Sequence, residues 1–495
     1  MRISRAAGAA LAAVLTAAAP AAAEQPGIEG NMGPSTTTPP YVLPVADGVR
    51  TASLLTVGDA VAGYRMVGMP DGLGAYRQDG NELTLLMNHE LNNQSGVARR
   101  HGQIGAFVSE WSIDRKSFAV TAGADLIDPG VQYWNYATSS YAPVPGGAFG
   151  APFSRFCSNT LTSAGQLLNA ETGNGYDGRL FFPNEENGNI GRAFALTTDG
   201  AMAQLPRLGL ASFENTLPAH NSTDTTVIVS TEDGASGQLR VYTGTKQATG
   251  SPFERAGLTN GSLAVVSVAD AATDPAFRTA HGKGEAVRFT LAPVNWDTGD
   301  GIAQNVEARE KGLSLNRIED GHWDPSHPRD LYFDTTQGGK GATTGVQGRD
   351  GGGLWRLRFD DIEHPELGGT LTLLLDGSEE PKLNKPDNMT IDGTGNLLLQ
   401  EDPGNNESVA RIVAYRIEDG VRAVLARFDT ELFAPGGTLT TDEESSGIID
   451  AHATIGPRWF LFDALVHEPA GDPELVQGGQ MLAMHVDRWR DVYGE

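Results

Sequence analysis

Six short stretches of this sequence end in oxygen-rich tips. RQDGNELTLLMNHE ends at Asn88-His89-Glu90, DGRLFFPNEEN at Glu185-Glu186 and NSTDTTVIVSTED at Glu232-Asp233. HPRDLYFDTT carries Asp334, KPDNMTIDGTGNLLLQED runs from Asp387 to Glu401-Asp402, and GPRWFLFDALVHE carries Asp463 and His467-Glu468. Carboxylates gathered in one place repel one another unless cations neutralise them, and several oxygens together suit a hard cation such as Ca2+. The single cysteine, Cys157, lies in the polar stretch PFSRFCSNTLTSAG ahead of the Glu185-Glu186 tip and leaves no partner for an intramolecular disulfide. An isolated cysteine is more often a small buried hydrophobe. Its polar surroundings here favour a thiolate ligand, which matches a transition metal better than calcium. NRIED adds an Arg-x-Glu pair, Arg317 and Glu319, whose side chains share a face if the segment is a strand.

The elements that carry these tips share one pattern: turn residues, an apolar run of strand length, then the polar tip. Leu397-Leu398-Leu399, between an Asp-Gly-x-Gly turn and Glu401-Asp402, is the clearest case and reads as a buried strand. Six such units, spaced by roughly 75 residues, predict radial repetition: an all-β protein, a six-bladed β-propeller whose blades carry long insertions. Equivalent strands would project all the tips onto one end of the central channel. Neighbouring residues on a strand point to opposite sides, so only one member of each acidic pair can face that channel, and the sequence leaves open which. Further strands are expected in PGNNESVARIVAYRI and GGQMLAMHVDRW, and 62 Gly and 27 Pro suit a loop-rich β protein.

The first residues, with Arg2, Arg5, an Ala/Leu/Val stretch and Ala21-Ala22-Ala23, read as a secretory signal peptide over 1–23. The two arginines are not adjacent, so the signal is of Sec type and the expected destination is the periplasm or the extracellular space. Residues 24–45 read as a linker and 46–495 as one propeller domain. Removing 1–23 takes away two positive charges and no acid, moving the formal charge from −26 to −28. So acidic a chain disfavours nucleic acid and anionic lipid as partners, and no later apolar run is long enough for a membrane anchor. There is no GxSxG, no HExxH and no P-loop, and the Gly-rich stretch through Gly351-Gly352-Gly353 reads as a hairpin loop. His220 and His322 read as structural or exposed.

Taken in order, MNHE (87–90), Cys157 ahead of Glu185-Glu186, LASFENT with Glu214, Glu232-Asp233, NRIED, KPDN (385–388), EESSG with Glu444 and the final strand ending at His467 resemble the PhoX-type alkaline phosphatases. The resemblance runs from about residue 50 to the end. It departs from the family after the cysteine, where Ser158-Asn159-Thr160-Leu161 stand, and at Asn215 after Glu214. It implies a secreted monomeric phosphoesterase acting on small phosphate monoesters, with Ca2+ and Fe3+ clustered in a propeller channel. By the resemblance Cys157 would bind iron, Glu185 or Glu186, Glu214, Glu319 and Glu444 would be carboxylate ligands, and Arg317 would hold substrate oxygens. The tips add Glu90, Asp387 and Glu401 to the candidate ligands. Two other readings stand beside this one: a calcium-dependent propeller lactonase or esterase, and a calcium-stabilised propeller that only binds partners.

Overall fold

The computed structural model describes residues 30–78, 80–145, 149–343, 348–405 and 408–495; the leader read at 1–23 lies outside them. Antiparallel sheets surround one axis. The first runs Pro70–Arg77, Glu82–His89, Phe107–Asp114, Val120–Asp125 from the axis outward. The second has residues 156–161 as its inner segment, bridged to Leu180–Phe181 and followed by Phe194–Thr197 and Met202–Gln204. The third begins with Phe213–Pro218 and the fourth with Ile318–Trp323, and Val287–Val294 joins their outer edges into one nine-stranded sheet. The fifth begins with Pro386–Ile391 and the sixth with Glu443–Asp450. Val49–Thr56 forms the outer strand of the sixth sheet by pairing with Gln477–Val486 near the other end of the chain. The fold is a β-propeller, with the ring closed by an early strand on the last sheet.

The apolar runs are buried on both faces because each sheet is sandwiched between two others. Leu397 and Leu399 pack towards the fourth sheet while Leu398 packs towards the sixth. Leu85 and Met87 face the sixth sheet and Leu86 the second, and Ile228 separates Val227 and Val229 in the same way. Period-two alternation with two dry faces is what turns a continuous apolar triplet into a strand. Each fully buried Leu or Val contributes on the order of 1.5–3 kcal/mol. The six tip-bearing stretches are the second strands of the six sheets.

Two features differ from the sequence reading. Residues 30–45 are not a linker: Gly33 N–H donates to Ser53 O, and Val42–Pro44 pairs with Arg422–Phe428 as an extra edge of the fifth sheet. The helix Gly301–Lys311, capped by the Asp300 side chain, sits in the insertion before the fourth sheet. It escaped the sequence reading because little of it is apolar, and Ile302 and Val306 are exposed. No helix among the described residues is long and apolar enough to cross a membrane.

The inner strands carry the feature that positions the site. In five of them two residues oppose one on the neighbouring strand: 71–72, 214–215, 319–320, 387–388 and 447–448. Such a bulge bends the strand and re-aims its side chains. At the first, Gly72 lies against the inner segment of the second sheet, where an added Cβ would stand 2.6 Å from Asn159 N and 2.7 Å from Cys157 O. Both are backbone atoms with little room to retreat. Gly72→Ala is therefore expected to lower stability by about 1–3 kcal/mol through overpacking, read as a reduced urea midpoint at unchanged slope.

Candidate metal centre

Asp71, Glu214, Glu319 and Asp387, the first residues of four bulges, turn towards the channel, and Cys157 does so from residues 156–161. Their ligand-type atoms form three overlapping groups, Asp71–Glu90–Cys157, Cys157–Glu186–Glu214 and Glu214–Glu319–Asp387, each with its atoms within 4.8 Å of one another. Cys157 and Glu214 are the shared members, so the groups make one continuous cluster. The Cys157 Sγ lies 3.3 Å from Glu90 Oε1 and 3.2 Å from Glu186 Oε2. Ser158 N–H donates to Glu214 Oε1 at 3.2 Å. Glu444 stands at the next sector of the ring, 3.7 Å from His467 Nε2, and His467 Nδ1 meets Gln477 Oε1 at 3.0 Å.

Electrostatics penalises this arrangement as it stands. Burial first, then the neighbouring carboxylates, push Asp71, Cys157, Glu214, Glu319 and Asp387 well above their ordinary values. Glu186 is pushed up to about 8 by burial against the opposing pull of Arg155, and Glu444 to about 7 by burial. Burial lowers the half-buried His467, but Glu444 beside it raises it to about 10. A set of buried acids and a thiol that disfavour one another's ionisation is what multivalent cations would reverse. The donor set fits the ions the sequence suggested, with abundant carboxylate oxygen for calcium and one thiolate for a softer metal.

Alternation divides the acidic pairs in one consistent way. Glu185 turns from the channel to Arg192, with Nε–Oε2 at 2.6 Å and Nη2–Oε1 at 2.7 Å. Glu401 likewise takes Arg411 at 2.8 and 2.6 Å, and Glu232 takes Arg240 at 3.2 and 3.1 Å. The second members, Glu186, Asp233 and Asp402, face the cluster side: Asp233 holds Arg317 by Nε at 2.8 Å and Nη2 at 3.0 Å, and Asp402 lies in the fields of Arg317, His467 and Lys385. The expectation of Glu185 and Glu401 as ligands is therefore corrected, since each is bound by a buried or half-buried guanidinium one strand out. Asp334 and Asp463 are also not tips. They lie deeper on their strands, fully buried and without a hydrogen-bond partner among the described atoms. Arg317 is at the rim, 3.0 Å from Glu319. The sequence reading missed Asp71 and Arg155. Pro70-Asp71-Gly72 repeats the Pro386-Asp387-Asn388 start of an inner strand, a signal that was available.

Residues 199–452, just over half of the chain, match the family described as alkaline phosphatase PhoX. That interval contains Glu214, Arg317, Glu319, Asp387 and Glu444 and begins after Cys157. Among solved structures, PhoX of Pseudomonas fluorescens, in complex with vanadate as a transition state analogue, aligns with TM-score 0.64 at 11% identity, covering 90% of this chain and 97% of that one. A gluconolactonase from Xanthomonas campestris aligns at TM-score 0.34 and 10% identity over 90% and 95% of the two chains, too low to carry an argument. No curated protein matches the sequence.

Two outcomes follow from the electrostatics. Arg192→Met leaves the Glu185 carboxylate buried and unpaired and is expected to cost about 3–5 kcal/mol, measured by denaturant unfolding. Glu443, beside Glu444, accepts Ala410 N–H at 2.9 Å through one oxygen, and burial raises it from 4.5 to about 8. Between those values the folded state holds the proton that the unfolded chain releases, so this group erodes stability as pH rises from 4.5 to 8. Glu443→Gln should remove that slope, its stability relative to the native protein improving by up to about 1.4 kcal/mol per pH unit across the window. Unfolding titrations at a series of pH values read it.

Proposed function

The chain belongs to the PhoX alkaline phosphatase family, and from that membership we propose that it hydrolyses phosphate monoesters at the mouth of the propeller channel, after export. The observation that carries the reading is the continuous cluster joined through Cys157 and Glu214, with Arg317 at its edge. Asp71, Glu90, Glu186, Glu214, Glu319, Asp387 and Glu444 would hold calcium, and Cys157 with its carboxylate neighbours would hold ferric iron. Bound cations supply the positive charge that polarises a phosphoryl group and accommodates the charge developing on it.

The chain's own side chains account for the rest. The planar Arg317 guanidinium is held in one orientation by its two-point contact with Asp233 and by Glu319, so its remaining N–H groups are pre-oriented for phosphoryl oxygens. That preorganisation matters because a guanidinium already fixed loses little further freedom on binding. His467, 3.7 Å from Glu444, stands beside the cluster.

The test is metal content and p-nitrophenyl phosphate turnover on the purified protein. Native protein is expected to contain calcium and iron and to turn over the ester. Cys157→Ala is expected to lose iron and at least a hundredfold in kcat. Arg317→Lys should keep its metals and lose about 10- to 100-fold in kcat/KM, the worth of one bidentate charged contact at roughly 1.5–3 kcal/mol. One or two calcium ions, no iron and no phosphate turnover in either the native protein or Cys157→Ala would overturn the reading in favour of a calcium-dependent lactonase or esterase, tested next with lactones and aryl esters.

A further inference from the structure

Four inner segments of the ring are entered through a residue in the left-handed backbone region: Met69 (φ 52°), Arg155 (φ 52°), Arg317 (φ 55°) and Lys385 (φ 53°). Each stands two positions before a channel-facing residue, respectively Asp71, Cys157, Glu319 and Asp387. A non-glycine residue in that region costs about 1–2 kcal/mol, yet the same geometry recurs around the ring and three of the four residues are cations.

Their side chains lie along one arc of the rim. Arg155 reaches Glu90 Oε1 at 2.7 Å and also pairs with Glu186, and its side chain is 46% exposed. Glu186 lies within the field of Asp233, which holds Arg317. Arg317 and Lys385 both lie close enough to Asp402 to act on its charge. The order along the rim is therefore Arg155, Arg317, Lys385, with an acid between each pair. The two arginines are bound to carboxylates, whereas the Lys385 ammonium donates to a neutral acceptor, Pro403 O, at 2.7 Å. Among the described residues Lys385 makes no ion pair within 4 Å, whereas both arginines do. In a protein of net charge −26, positive charge placed by backbone strain beside an acidic cluster calls for an anionic occupant.

Resting on the phosphoesterase reading, we propose that Arg155, Arg317 and Lys385 form an anion-recognition arc, that Lys385 contacts a second anionic group of the substrate, and that the preferred substrates are phosphate esters bearing a further phosphate or carboxylate. One phosphoryl group at Arg317 leaves the ends of the arc unused, and a second anion would complete it. Arg155 also touches the cluster carboxylates, so Lys385 is the decisive position.

The experiment uses the metal-loaded full chain with adenosine 5′-phosphate and adenosine 3′,5′-bisphosphate. Native protein should show at least a tenfold lower KM for the bisphosphate. Lys385→Met should bring the bisphosphate KM to within about twofold of the monophosphate value, with metal content retained, and Lys385→Arg should restore the preference. A native enzyme without preference overturns the proposal. So does a Lys385→Met variant in which both substrates suffer equally or metal is lost, because Lys385 then only balances the charge of Asp402. Should no ester be turned over at all, the phosphoesterase reading fails, and calorimetry with inorganic pyrophosphate decides the arc separately. Binding weakened tenfold or more in Lys385→Met supports it, and no binding, or equal binding, overturns it.

Discussion

Buried negative charge is the constraint on which this molecule turns. Five of the six sheets deliver Asp71, Glu90, Cys157, Glu186, Glu214, Glu319 and Asp387 to one place, where desolvation and mutual repulsion oppose the ionised form of most of them. A chain with no other use for them would replace such groups by apolar residues at little cost. Their presence is intelligible if cations complete the site. The surrounding architecture then reads as the means of holding anions together until cations arrive.

Two devices do the holding. The first is the bulge on the inner strands, which in four of them turns an acid into the channel, while its neighbour in three, Asn215, Asp320 and Asn388, reaches the next inner strand. Asn215 Nδ2 touches Asp320 Oδ1 at 2.5 Å, and Asp320 Oδ2 accepts Met389 N–H at 3.0 Å. Ser446 Oγ meets Asn388 Oδ1 at 2.6 Å and also contacts Asp71. A polar girdle thus ties the segments to one another below the cluster. The second device is the arginine placed one strand out from Glu185, Glu232 and Glu401. It neutralises the acid that must face inward into the sheet interface, so that only one member of each pair adds to the charge of the channel.

On the far side of that girdle the channel opens into a cavity of about 380 Å³ lined by His220, His322, Asp450 and backbone of the inner strands. Burial lowers His322 to about 4, and its Nδ1 lies 2.7 Å from Trp323 O, which fits a neutral ring held in place by its neighbour. The two ends of the channel therefore differ in kind: a rim that carries cations over the acids, and a vestibule lined by two imidazoles with Asp320 and Asp450.

The sequence by itself determined the strands and the type of chemistry. Apolar triplets such as Leu397-Leu398-Leu399 between turn residues identify six equivalent strands, because burial on both faces leaves an unbroken apolar run. The acids at their ends and the lone Cys157 announce a cluster, because residue type is enough to say that oxygen and sulfur ligands are present. Only the tertiary structure decided which atoms meet. Alternation makes Glu185 and Glu186 equally eligible on paper, and the choice falls to Glu186 because Arg192, on the neighbouring strand, captures the other. The deeper placement of Asp334 and Asp463, the recruitment of Asp71 by a bulge, the strand at Val42–Pro44 and the arc of Arg155, Arg317 and Lys385 all depend on register between segments far apart in the chain. Register is set by packing across sheets, which no local stretch of sequence encodes.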